Sequence, residues 1–186
     1  MSKYSLKPAN PNVLKNALNQ LDKDRNYATK ILEKCDSKDV CKIAYEKYAT
    51  YATMPELLKY DMLPSRKVFD ILIERIGKEE DGLELSDDEI ISYVKSLEYE
   101  KDDFTALLKK LRVKMLPDRL VGLAEKFSNE FPHEAGEGYL YVLFELQMMD
   151  DAREFLENAQ EDEYQKFRYL LFLRNQGRNF DIELFV

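Results

Sequence analysis

The chain has 186 residues, 45% of them hydrophobic, which supplies a sizeable core and excludes wholesale disorder. Its 36 acidic and 28 basic residues leave a formal charge of −8, which excludes the broad basic footprint of a dedicated nucleic-acid binder. No run of about 18 apolar residues is present to span a bilayer, and Met1-Ser-Lys-Tyr-Ser-Leu-Lys-Pro8 lacks the apolar stretch of a signal peptide.

Only 6 Gly and 6 Pro punctuate the chain, and Leu, Lys, Glu and Asp dominate over β-branched residues. That mixture predicts an all-α fold of about ten short antiparallel helices. Asn10-Pro11 reads as an N-cap followed by proline in the first turn. Val13, Leu14, Ala17, Leu18 and Leu21 then form one helical stripe. A second helix carries Tyr27, Ala28, Ile31 and Leu32. Ser37 or Asp39 opens a third, with Ile43, Ala44, Tyr48 and Tyr51. Pro55 suits the first turn of a short helix holding Leu57 and Leu58.

Ser65 opens the next helix, with Val68, Phe69, Leu72, Ile73 and Ile76 apolar, and Gly77 suits its left-handed C-terminal end. The acidic stretch 78–82 follows. It is the expected break between an N-terminal helical lobe, 1–77, and a C-terminal lobe, 83–186, unless the chain is one continuous domain. Ser86-Asp-Asp-Glu89 has the spacing of a capping box, ahead of Ile90, Ile91, Val94 and Leu97. Asp102 or Asp103 is expected to cap a helix containing Phe104, Leu107, Leu108 and Leu111, and Asp118 one containing Leu120, Val121, Ala124 and Phe127. Helices over 139–148, 150–159 and 163–175 complete the array, and Gly177 stops the last. Beyond it Phe180, Ile182, Leu184 and Phe185 nearly alternate, as either a loose end or an apolar strap.

Met62-Leu-Pro-Ser-Arg66 recurs as Met115-Leu-Pro-Asp-Arg119, and the same offset carries Val68 onto Val121. Duplication and a convergent helix-start signal both account for it, because the match is confined to residues that begin helices.

Further on, Glu145-Leu-Gln-Met-Met-Asp-Asp-Ala152-Arg-Glu-Phe-Leu156-Glu-Asn-Ala159 resembles the turn and second helix of a tetratricopeptide hairpin. A small, a large apolar and another small residue follow one another there at the family's spacings. Leu140 departs from the pattern, standing where the family has a small residue, and no regular period accompanies the hairpin. The resemblance implies a helical-repeat, protein-binding architecture. A compact multi-helix bundle uses the same apolar stripes.

Several motifs imitate chemistry. The single histidine, His133, begins His133-Glu-Ala-Gly-Glu137, but a zinc-protease helix needs a second histidine one turn later. Asp81-Gly82 sits in an acidic run, yet placing Gly82 at the sixth position of a calcium loop leaves Glu89 one place too late. Cys35 and Cys41 lack the second pair that a structural zinc site requires, and reduced thiols are expected. Paired acids such as Asp102/Asp103 and Asp150/Asp151 suit helix starts electrostatically. Neither a metal nor a cofactor is expected.

Two groups are candidate partner-binding residues. Tyr45, Tyr48 and Tyr51 recur at spacings of three, offering contact area with polar tips. More often such a stripe belongs to the core, with its hydroxyls at the rim. Lys109, Lys110, Arg112 and Lys114 form the strongest positive cluster, suited to an acidic partner or to a solvated helix face. The expectation is a cytoplasmic, non-enzymatic scaffold, adaptor or chaperone-like protein that binds another protein, with no nucleic-acid or membrane partner. The rivals are a self-associating structural subunit, as in a phage or secretion assembly, and a small-ligand binder or enzyme using buried carboxylates.

Overall fold

The computed structural model describes residues 10–21, 26–34, 37–60, 65–77, 83–158, 163–175 and 177, without the side chains of residues 13, 14, 17, 18 and 163–166. The described residues form eleven helices and no strand, so the fold is all-α. The chain divides into two units, Met1–Leu97 and Glu98–Val186. The stretch 78–82 lies outside the described residues. So do Cys35, the first copy of Met-Leu-Pro, Ala159 and the apolar segment 180–186.

The first unit holds α1 (Pro11–Leu21), α2 (Asn26–Leu32), α3 (Lys38–Tyr48), α4 (Met54–Leu57), α5 (Arg66–Arg75) and α6 (Asp87–Ser96). Its helix starts follow side-chain chemistry. The Asn12 N–H donates to Asn10 Oδ1 at 2.9 Å, and the Val68 N–H donates to Ser65 Oγ at 3.2 Å. At α6 the expected reciprocal cap is present: Ser86 N–H donates to Glu89 Oε2 at 2.8 Å, and Glu89 N–H to Ser86 Oγ at 3.2 Å. Gly77 is left-handed, with φ of 77°. Helix α3 packs against α1, α2 and α5. Its Ala44 joins Leu57, Phe69, Leu72, Ile73, Ile90 and Val94 in the buried interior. Leu58, expected to share the apolar face of α4, is instead 69% exposed, because the helix ends at Leu57.

Cys41, buried near the start of α3, is disulfide-bonded, which overturns the expectation of a reduced thiol there. Composition and spacing cannot reveal the oxidation state, which depends on geometry and redox compartment.

The second unit holds α7 (Lys101–Arg112), α8 (Pro117–Glu130), α9 (Gly136–Glu145), α10 (Met149–Asn158) and α11 (Glu163–Asn175). Two expected caps fall elsewhere. Glu100 precedes α7, and Asp103 serves from the first turn, its Oδ2 accepting the Glu100 N–H at 3.0 Å. Pro117 opens α8, so Leu116 holds the cap position and Asp118 lies in the first turn.

Helix α9 is the centre, packed against α7, α8 and α10. It starts at Gly136, earlier than its apolar run suggests, because two glycines let neighbours close on it. A Cβ on Gly136 would lie 2.0 Å from Tyr169 Oη, and one on Gly138 2.9 Å from Leu108 Cδ1. Leu140, Leu143 and Phe144 then pack with Leu156, Tyr169 and Leu173. Phe104, Phe127 and Phe131 form a second aromatic group, with centroids 5.1 to 6.5 Å apart.

Helices α7 and α9 run parallel. Lys101 Nζ lies 2.6 Å from Glu137 Oε1 at their first turns. Lys109 Nζ sits 5.2 Å from the Tyr141 ring centroid at mid-length, and Arg112 pairs with Glu145 at their last turns. Glu137 is 5% exposed and also meets Arg168 at 3.4 Å. Arg168 donates in turn to the His133 carbonyl, tying α11 to the turn ahead of α9.

Candidate functional site

Of the three expected tyrosines, the structure brings Tyr48 and Tyr51 into contact and turns Tyr45 to other partners. Tyr45 belongs to the interior: its hydroxyl donates to the Leu57 carbonyl at 3.4 Å. Burial first, and then Tyr93, pushes it up to about 12. Tyr48 is also buried, but its ring meets two half-buried partners. Tyr51 stands edge-on to it at 5.3 Å and 85°, and Tyr60 at 5.6 Å and 88°. Helix α3 ends at Tyr48, so the helical spacing no longer governs Tyr51.

Tyr60 and Glu56 escaped the sequence reading. Glu56 Oε2 accepts both the Thr53 N–H at 2.8 Å and the Thr53 hydroxyl at 2.9 Å. The backbone bond chiefly holds the Glu56 carboxyl below its ordinary range. Burial, followed by Glu56 and the neighbouring phenols, raises Tyr48, and burial, Glu33 and Glu56 raise Tyr60. A signal was present, since Thr53-Met-Pro-Glu56 has capping-box spacing with proline in the first turn.

The basic cluster of the second unit is largely tied to its own neighbours. Lys109 lies over the Tyr141 ring, and Arg112 binds both Glu145 and Tyr141. The Arg112 guanidinium is raised first by its hydrogen bond to Tyr141, against desolvation, with Glu145 adding to the rise. Lys110 is exposed and Lys114 half-buried. The cluster frames something the sequence reading missed. In the turn joining α7 to α8, Val113 is 82% and Leu116 78% exposed, with Met115 half-buried between them. Leu116 belongs to the recurring Met-Leu-Pro motif. The motif hinted at a helix start and not at an outward leucine.

The remaining motifs have structural roles where they are described. His133 is exposed and offers its carbonyl to Arg168. Glu89 completes the α6 cap. Among the described residues no group of three or more His, Cys, Asp or Glu is placed to hold a metal ion. Among the described residues the buried carboxylates each face a cation: Glu46 meets Lys67 at 2.6 Å, and Glu137 meets Lys101 and Arg168. No described helix is long and apolar enough to cross a membrane.

Compared with protein-family models, curated proteins and solved structures, the chain finds no match in any of the three.

Proposed function

We propose that the chain is a non-enzymatic helical scaffold, an adaptor or chaperone-like protein, that binds another protein through the α7–α8 edge of its second unit. One observation carries this reading: Val113 and Leu116 project into solvent within a single tight turn, at 82% and 78% exposure. Scattered exposed leucines are ordinary, but two aliphatics at one tip within a basic frame make an anchor with a polar rim. Lys110, exposed, and Lys114, half-buried, border that tip and favour an acidic partner surface, while Lys109 and Arg112 are engaged by Tyr141 and Glu145.

The helix arrangement supports the same reading. The facing pairs of the parallel helices α7 and α9, Lys101/Glu137, Lys109/Tyr141 and Arg112/Glu145, lie 36, 32 and 33 positions apart, near the length of a tetratricopeptide repeat but without a fixed period. Ala152 and Leu156, which carry the resemblance to that family, are buried against α9. Gly138 supplies a small residue on α9, two positions before Leu140. Repeats of this kind present extended surfaces to other proteins.

A double variant, Val113→Asp with Leu116→Asp, tests the reading by affinity capture from the native source. The wild-type chain is expected to retain a stoichiometric protein that the variant loses, with helix content unchanged. Equal retention by both would remove the α7–α8 edge as the binding surface.

A second reading, self-association, is favoured by Phe167 and Leu171, exposed one turn apart on α11. Sedimentation of the purified chain decides it. A concentration-dependent dimer lost in Phe167→Glu supports it, and a monomer throughout rejects it.

A further inference from the structure

Helix α11 turns one face inward and another out. Tyr169, Phe172 and Leu173 pack with Leu140, Leu143 and Leu156 in the core of the second unit. Phe167 and Leu171, one turn apart, are 58% and 40% exposed. Arg174 follows them on the same helical stripe and is exposed as well. Stacked helices stay soluble when the outer face of the outermost one is polar. Here the last described helix carries an aromatic ring and a leucine on that face. Exposed apolar residues scattered singly are ordinary. Two large ones in register along a helix make a strip that a second element can cover.

The sequence beyond α11 supplies an occupant. Gly177 is left-handed, with φ of 70°, and its N–H donates to the Arg174 carbonyl at 3.0 Å, so the helix ends and the chain leaves its axis. Arg178-Asn-Phe-Asp-Ile-Glu-Leu-Phe-Val186 follows. In it Phe180, Ile182 and Leu184 alternate with Asp181 and Glu183, which puts the apolar side chains of an extended chain on one side. The two patterns match in order and in length. Read back from its end, the stripe runs Arg174, Leu171, Phe167 over about 10 Å of helix axis. Read forward, the segment runs Asp181, Ile182, Leu184 over about 10 Å of extended chain. Residues 178–180 suffice to return from Gly177 to the level of Arg174, about 5 Å back along the axis. A basic residue in the last turn suits any helix. At this position its charge also meets the acidic side of the returning segment.

We propose that the segment 180–186 folds back along α11 as a strap, with Ile182 and Leu184 over Leu171 and Phe167 and Asp181 against Arg174. The strap makes the outer face of α11 polar by presenting Glu183 to water. A second copy of the chain is the rival occupant of the same strip. The α7–α8 edge takes no part, and the test needs no partner protein, so failure here leaves that reading standing.

Methyl–aromatic NOE spectra of the full chain, with isoleucine and leucine methyls labelled, test the proposal. Contacts from the Ile182 and Leu184 methyls to Leu171 and the Phe167 ring, unchanged on dilution, are the expected result. Leu171→Asp, at an exposed position, should abolish them and move both methyls to unfolded-chain shifts, with helix content unchanged. Arg174→Glu should weaken the contacts several-fold, and Arg174→Glu with Asp181→Lys should restore them. Contacts seen only between labelled and unlabelled copies in a mixed sample would overturn the proposal in favour of a second copy. Ile182 and Leu184 methyls at unfolded-chain shifts in the wild-type chain would overturn it outright.

Discussion

Arg75, at the end of α5, reaches the backbone just past α3, its Nη1 donating to the Ala49 carbonyl at 2.6 Å and to the Ala52 carbonyl at 2.7 Å. A helix leaves its last carbonyls without intrahelical donors, and here a buried guanidinium serves one of them together with a carbonyl of the following loop. Arg75→Met keeps much of the apolar stem but removes the donor. It is expected to destabilise the chain by about 2–4 kcal/mol in urea denaturation. A loss below about 0.5 kcal/mol would mean that those carbonyls find water instead.

Gly136 allows the Tyr169 hydroxyl to approach where a Cβ would stand. Gly136→Ala is therefore expected to cost about 1–3 kcal/mol despite the better helix propensity of alanine. Tyr169→Phe removes the atom that clashes at 2.0 Å, so the double variant should recover part of the loss. Thermal unfolding of the four proteins forms the test. Simple additivity would place the cost elsewhere.

Tyr45 titrates at about 12 in the folded chain, against an ordinary value of 10.0. Between those values the unfolded chain releases a proton that the folded chain retains. The contribution is fully present below pH 10 and is lost as pH rises through 12. Stability should therefore fall steeply in that alkaline window, and less so in Tyr45→Phe. Urea midpoints from pH 8 to 12 check this, and identical slopes would contradict it.

Glu56 gives the opposite limb. Its carboxyl is lowered from 4.5, chiefly by the Thr53 N–H, so its contribution is present above 4.5 and lost as pH falls through the lowered value. Glu56→Gln should flatten the acid limb of the stability profile. The carboxylate resonance of Glu56 should also titrate below those of unbonded glutamates.

The disulfide at Cys41 predicts that the native chain takes up no alkylating reagent until a reductant is added. Intact mass before and after reduction measures it. Immediate alkylation of the untreated chain would restore the expectation of free thiols. A bonded Cys41 also bears on compartment, since disulfides persist where the surroundings are oxidising.

Local chemistry was the legible part of this fold. Asn10-Pro11, Ser65, the Ser86/Glu89 pair, Gly77 and Gly177 mark helix ends because each satisfies or relieves backbone groups within a few residues. Where two local signals compete, the reading slips: Pro117 took the first helical position and displaced Asp118 from the cap. Gly136 and Gly138 hid the start of α9, since their value lies in the approach of Tyr169 and Leu108 from other helices. The candidate sites were harder to read for the same reason. A run of lysines looks free until Tyr141 and Glu145, far along the chain, are seen to hold Lys109 and Arg112. Periodicity grouped Tyr45, Tyr48 and Tyr51, whereas the structure keeps Tyr51 with Tyr48, adds Tyr60 from the turn after α4, and turns the Tyr45 hydroxyl to the Leu57 carbonyl.

The central claim is that the α7–α8 edge meets another protein. Its most direct test is a photo-crosslinking residue placed at position 113, with a matched control at exposed Asn129 on α8. Irradiation in the native source is expected to join the chain at 113 to one protein of defined mass, with no such product from 129. The same products from both positions, or none from 113, would contradict the claim.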